Sequence, residues 1–213
     1  MRPEPERRSR SAIRFFLSIA AIAVLLAGCV QRIIDDGGTD GGCDPPCLAE
    51  LGWAGYEAGR RIDINQFRSA VGIDPAFAEG YVGLGWFNIE FGYIDAAALD
   101  FQTALGLDTS LVAAYAGEAY CLAALPNPDY DTAILMAETA IQKGGSDYVF
   151  EHNEDVSARS LRLLLATIYF RLRNYSAALA EVDEIEPSNG LNPSSRTFVP
   201  DLLLFIVQLA EEA

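Results

Sequence analysis

The stretch FRSAVGIDPAFAEGY at residues 67–81 returns as FQTALGLDTSLVAAY at residues 101–115. The two copies keep Phe, Ala, Gly, Asp and Tyr in the same order, and they are offset by 34 residues. A fixed period of this length is typical of a helix–turn–helix unit, and the apolar positions within it separate into two helices of about a dozen residues. Because one such pair cannot bury its own apolar face, the repetition predicts a stack of helix pairs.

The unit that begins at Ala78 resembles the tetratricopeptide repeat (TPR). Its matching positions are Tyr81, the pair Leu84-Gly85, Ala97, Phe101 and Ala104. The small residues allow two helix backbones to approach closely, and the rings fill the space between successive pairs. Two positions depart from the family pattern, because Asn88 stands where a tyrosine is usual and Thr109 replaces the closing proline.

Three further units are legible on either side of this one. Their equivalent positions are Leu51-Gly52, Tyr115 and Leu165-Ala166. A longer connection, residues 143–156, separates the third unit from the fourth, and an apolar segment begins at Pro200. The resemblance implies an all-α, right-handed α-solenoid of about four TPR helix pairs over residues 49–198. A capping helix over residues 199–213 would cover its open end.

Residues 1–28 have the features of an export signal. Five arginines precede an uncharged run from Phe15 to Gly28. As a helix this run spans ~21 Å, less than the roughly 30 Å of a hydrocarbon core. It ends in Leu26-Ala27-Gly28-Cys29, which resembles the lipobox of bacterial lipoproteins and implies cleavage before Cys29 and a lipid on that cysteine. A plain cleaved signal and a tilted membrane anchor are the alternatives.

The lipobox implies a location in the cell envelope, held on the membrane through the N-terminal lipid. Val30 is not the aspartate associated with retention at an inner membrane, so in a cell with two membranes we expect the outer membrane, facing the periplasm. Residues 29–48 are rich in glycine and aspartate and have no helical period. We therefore predict a flexible tether between the anchor and the folded body.

The cysteines predict one short disulfide and no metal site. In an oxidising, exported setting, Cys43 and Cys47 are close enough in the chain to bond to each other. Cys121 lies in an apolar helical stretch, where we expect a buried thiol. The sole histidine, His152, is over a hundred residues from the cysteine pair, and zinc sites need ligands in recognisable pairs.

Charge and motif content argue against nucleic-acid binding and against catalysis. Without residues 1–28 the chain has 10 basic and 28 acidic side chains, a formal charge near −18, which repels phosphates. The sequence has no glycine-rich phosphate loop, nucleophile elbow or metal-binding helix motif. The polar cluster at residues 151–155 is interpreted as a solvated loop. We expect no catalytic residue, no cofactor and no enzymatic activity.

A TPR resemblance also implies which residues face a partner, since the first helix of each unit lines the concave surface. The equivalent positions here are Trp53, Tyr56, Val82, Trp86, Ile89, Tyr120, Leu163, Thr167 and Phe170. Trp53, Trp86 and Tyr120 recur at the same place in three consecutive units. This recurrence predicts a concave aromatic groove that binds a protein or peptide.

Two alternatives to an open groove remain. Part of the aromatic ladder is core if the tether or the connection at residues 143–156 folds back over it. The groove serves as a closed pocket if the chain is instead an envelope enzyme or a small-molecule-binding protein.

Overall fold

The computed structural model describes residues 43–212. The predicted signal peptide, the lipid on Cys29 and the tether up to residue 42 lie outside the described residues. The chain divides into two compact units, one that ends at Asp74 and one that begins at Pro75. The predicted all-α class is confirmed for the described residues, with one small β-hairpin added.

The first unit is a single helix pair. Helix α1 spans Pro45–Glu57, a 3-10 turn spans Arg61–Asp63, and helix α2 spans Ile64–Ile73. Gly52 of α1 lies against the fully buried ring of Phe67 in α2, and a Cβ on Gly52 would come within 2.5 Å of that ring. Glycine is therefore required for the close approach of the two helices.

Helix α1 begins inside the segment predicted as tether. The Asp44 side chain accepts a hydrogen bond from the Cys47 amide at 3.0 Å, and Pro45 occupies the first helical position. Both features favour a helix start. A disulfide bond joins Cys43 to Cys47 across this first turn, with the two Cα atoms 5.5 Å apart. The prediction of a tether to residue 48 is therefore wrong for residues 45–48.

The second unit contains three helix pairs, a hairpin and a final helix. The pairs are α3 (Ala78–Glu90) with α4 (Ile94–Leu107), α5 (Val112–Ala124) with α6 (Tyr130–Gly144), and α7 (Ala158–Arg171) with α8 (Tyr175–Ile185). Consecutive helices pack on each other, and α3 also contacts α5, and α5 contacts α7. The first helices of the three pairs therefore lie side by side on one face of the unit.

The position of Phe101 explains why glycine is needed at two places beside it. Phe101 of α4 is completely buried, and its ring lies against Gly85 of α3 and Gly117 of α5, where any Cβ would clash with it. The predicted packing residues Ala97 and Ala104 are also fully buried. Phe101 thus contacts its own pair and the next pair at once, which fixes the spacing between them.

The connection between α6 and α7 forms an antiparallel hairpin that the sequence did not predict. Strand β1 spans Val149–Phe150 and strand β2 spans Asn153–Ser157. The Ala158 amide donates to the Tyr148 carbonyl oxygen at 2.9 Å, which ties the base of the hairpin to the start of α7. Phe150 and Val156 are 6% and 5% exposed, so the connection contributes to the core.

Helix α9 spans Phe198–Glu211 and overlaps the segment predicted as a capping helix, residues 199–213. Its Leu202, Ile206 and Leu209 side chains are buried in a cluster with residues of α7 and α8. Its opposite side is also apolar, because Leu203 and Val207 remain 46% and 45% exposed. Within residues 43–212 we find no helix with the length and hydropathy needed to cross a membrane.

Candidate functional site

The predicted groove residues of the first unit are packed against their own helix pair. Trp53 is 4% exposed, and its ring meets the edge of Phe67 at a centroid distance of 4.8 Å. Tyr56 is partly buried and lies 5.8 Å from Trp53. Contrary to the prediction, Trp53 is therefore not a solvent-exposed groove residue.

Trp86 is covered by the hairpin. It is 2% exposed, and its ring stacks on Phe150 of β1 with centroids 5.2 Å apart and planes at 28°. Its ring also meets the edge of Phe101 at a centroid distance of 5.5 Å. The prediction of Trp86 in an open aromatic ladder is therefore wrong, and the alternative that residues 143–156 fold back over it is correct.

The other predicted groove residues differ in their environments. Val82 is also buried, at 3% exposure, and Ile89 is partly buried. Phe170 belongs to the core beneath α9 and lies 5.3 Å from Tyr175. Tyr120, Leu163 and Thr167 line an open cavity, together with Trp86.

That cavity, which we call the inner pocket, lies between α3, α5, α7, the hairpin and α9. Its volume is about 440 Å³, and the residues that line it are Trp86, Tyr120, Asp155, Val156, Ser160, Leu163, Leu164, Thr167 and Ala210. Most of these side chains are apolar. Among the described residues that line it, Asp155 alone carries a formal charge, and it is exposed at the rim.

A short hydrogen-bond network fixes one wall of the inner pocket. The Tyr120 hydroxyl donates to Ser160 Oγ at 2.9 Å, and Ser160 Oγ donates to the Ser157 carbonyl oxygen at 3.0 Å. Ser157 and Ser160 form a capping box at the start of α7, so α5 is bonded directly to a helix terminus. Burial raises the pKa of Tyr120, with Asp155 adding to the effect. The phenol is therefore a neutral group at physiological pH.

Two buried polar atoms near the hairpin have no hydrogen-bond partner in the part of the chain that the structure describes. They are Trp86 Nε1 and the Tyr148 hydroxyl. Burial also raises the pKa of Tyr148. An unsatisfied buried donor typically costs about 1–3 kcal/mol, so the hairpin covers Trp86 at an energetic cost.

Sequence reasoning found some of the pocket and missed the rest. Leu163 and Thr167, at inner positions of the fourth TPR repeat, line it. Asp155, Val156 and Ala210 were missed, since they lie outside the repeats. The available signal was the apolar pair Val149-Phe150 within an otherwise polar connection.

A buried polar cluster lies apart from the pocket, between α4 and α5. Glu118 is 5% exposed, and burial raises its pKa against the opposing effect of a hydrogen bond with Gln102. Cys121 is a free, buried thiol, and its pKa is raised to about 12, chiefly by burial and further by Glu118 and Asp100. Within the described residues, no three His, Cys, Asp or Glu side chains are grouped to hold a metal ion.

Two solved structures are similar to this chain over almost all of its length. MamA is 16% identical with a TM-score of 0.56, and the match covers 99% of both chains. TTC0263, described as a thermophilic TPR protein in Thermus thermophilus, is 15% identical with a TM-score of 0.55, and the match covers 95% of this chain and 98% of that one. At these identities the likeness shows the fold alone, and it confirms the predicted TPR solenoid.

Comparison of the sequence itself gives no further relative. No protein-family model matches it, and no curated protein matches it.

Proposed function

We propose that this chain is a protein–protein interaction module, held on a membrane of the cell envelope by a lipid on Cys29. The observation that carries the interaction function is the inner pocket, an apolar cavity of about 440 Å³ bordered by the first helices of three repeats. Exposed apolar surfaces with a polar rim mark interaction sites on soluble proteins. The exposed apolar side of α9 adjoins this cavity through Ala210.

The composition of the pocket favours binding over chemistry. General acid–base catalysis needs a group whose pKa lies near the working pH. Tyr120 has a pKa shifted upward, away from that range. Its hydroxyl is also engaged with Ser160. The wall is therefore suited to fixing the shape of the cavity and to presenting a neutral polar group.

The anchoring part of the proposal rests on the N-terminal sequence. A basic segment, a short apolar run and the terminal Leu-Ala-Gly-Cys fit a lipoprotein signal. Stable attachment to a bilayer requires at least two acyl chains or an equivalent second signal. In a cell with two membranes, we propose the outer membrane with the folded units in the periplasm.

Replacement of Cys29 tests the anchor. We expect Cys29→Ser to give a protein that is not processed or is released from the membrane, as measured by membrane fractionation and by the mass of the mature chain. Cys121→Ser is the matched control, and it should fractionate like the unchanged protein. A Cys29→Ser variant that is processed and still tightly bound would contradict the lipid anchor.

Site-specific photocrosslinking in the native envelope tests the interaction. A photoreactive residue at Leu203, which lies on the exposed side of α9, is compared with one at Leu135 of α6. The two side chains are 46% and 56% exposed, so they sample solvent similarly. We expect protein adducts at position 203 that position 135 does not give. Equal adduct patterns at the two positions would contradict the proposal.

A second candidate function is the binding of a small apolar molecule. The volume of the inner pocket lies within the range of about 300–1,000 Å³ that is common for such sites, and the hairpin forms one of its walls. Native mass spectrometry distinguishes the two functions. A small molecule that co-purifies with the unchanged chain and is absent when Ala210→Trp fills the pocket would favour this candidate.

A further inference from the structure

The inner pocket and α9 together form one continuous apolar surface. Residues of a helix follow one another by about 100°, so side chains four and seven positions apart share a face. Leu203, Val207 and Ala210 meet this condition. Ala210 lines the pocket, and the other two are nearly half exposed. The exposed side of α9 therefore extends the pocket by about two helical turns, or ~10 Å.

The size of the pocket limits what can enter it. The cavity of about 440 Å³ has room for one or two large side chains of a partner. It is too small for a folded element of several turns, since each helical turn alone occupies roughly 420–610 Å³. The backbone would lie over the rim, along α9.

Among the exposed residues that neighbour the pocket lining in the chain, acidic side chains outnumber basic ones. Asp155 of β2 lines the pocket and is exposed. Glu154, next to Asp155, and Glu211, next to Ala210, are exposed as well. The first turn of α7 adds one exposed arginine, Arg159. The whole chain has a formal charge of −15, so an acidic segment is repelled and a basic one attracted at long range. A second copy of this chain meets the same repulsion.

Resting on the proposed interaction function, we propose that the partner presents a basic peptide segment with two large apolar side chains three or four positions apart. One apolar side chain enters the inner pocket between Tyr120 and Leu163. The second lies on the face of Leu203 and Val207. Arginine or lysine residues beside them face Asp155.

A selection from a random twelve-residue peptide library on the full chain, purified in detergent, tests this inference. We expect the enriched peptides to carry net positive charge and the spaced apolar pair. Ala210→Trp, which fills the pocket, should weaken binding of an enriched peptide at least tenfold, measured by fluorescence anisotropy. Gln208→Trp adds the same side chain on another side of α9 and should change the affinity less than twofold.

Charge reversal tests the basic part of the inference separately. Asp155→Lys should weaken binding about three- to fivefold, as for an exposed ion pair. Asp131→Lys, an exposed aspartate of α6, serves as the control and should have no effect. Circular dichroism establishes that each variant remains folded.

The outcomes separate this inference from the proposed function. Enriched peptides that are acidic, that lack the apolar pair, or that bind Ala210→Trp unchanged overturn the inference and leave an interaction function intact. Failure to enrich any peptide overturns the inference. If no peptide is enriched and the chain forms concentration-dependent dimers through α9, then the pocket is occupied by a second copy of this chain. If a bound small molecule is found instead, the proposed interaction function also fails.

Discussion

Replacement of Trp86 by alanine is the sharpest test of whether the hairpin covers the repeats. Removal of a buried tryptophan typically costs about 3–5 kcal/mol. In this chain the same change also removes an indole Nε1 that is buried without a hydrogen-bond partner. Its removal raises the free energy of unfolding by about 1–3 kcal/mol, which offsets part of the loss. We therefore expect a net loss of about 2 kcal/mol in the free energy of unfolding. For a chain of this size that corresponds to a fall in Tm of about 4–8 °C.

A second variant separates the contribution of the ring from that of the indole nitrogen, and a third serves as the control. Trp86→Phe keeps an aromatic ring against Phe150 and removes only the indole nitrogen and part of the ring area. Its stability should lie within about 1 kcal/mol of the unchanged chain. Tyr93→Ala removes a side chain that is 63% exposed, and it should change the stability by less than about 0.5 kcal/mol. Thermal unfolding followed by circular dichroism measures all three.

Fluorescence reports the cover directly. The chain has two tryptophans, so a Trp53→Phe background leaves Trp86 as the sole emitter. We expect blue-shifted emission from Trp86 and weak quenching by acrylamide. In the Phe150→Ala variant, the emission should shift to longer wavelength and the quenching should increase. The reasoning is refuted if Trp86→Ala unfolds at the same temperature as the unchanged chain. A red-shifted, readily quenched Trp86 in the intact hairpin would also refute it.

Three other predictions concern a buried carboxyl group, a buried thiol and the disulfide. Burial raises the pKa of Glu118, so the free energy of unfolding should fall as pH rises from the ordinary carboxyl range through the raised value. Glu118→Gln should flatten this dependence in urea unfolding at several pH values, and an unchanged slope would contradict it. Cys121, with its pKa raised to about 12, should react with thiol reagents only after denaturation. Cys43 and Cys47 should react only after reduction, so rapid native labelling without reductant would exclude their disulfide.

The helix pairs could be predicted because the information for them is local and repeated. Phe67 and Phe101 are one 34-residue period apart, and each packs against a glycine of the preceding helix, Gly52 or Gly85. The class of fold follows from that period alone. Asp44-Pro45 also indicated the start of α1, because an aspartate before a proline favours a helix start. This indication was not used, since the glycine-rich segment before it was interpreted as a tether that continues to residue 48.

The pocket could not be predicted to the same extent, because it depends on contacts between distant residues. Phe150 stacks on Trp86 across 64 positions of the chain, and no periodicity encodes that pairing. Tyr120, Leu163 and Thr167, which the sequence places at inner positions of the repeats, line the pocket. Whether such positions are open or covered is decided by the connection, whose strand of two residues is too short to produce a pattern.

The hairpin allows the inner pocket to change without a change in the packing of the helices. The spacing of the repeats is set by buried contacts such as Phe101 with Gly85 and Gly117, which tolerate few substitutions. One wall of the pocket, in contrast, is supplied by a connection between helices, and the exposed positions of such connections accept insertions and new side chains readily. A different hairpin on the same scaffold would yield a pocket of different depth and charge. The pocket can therefore be altered through its hairpin wall while the helical framework stays constant.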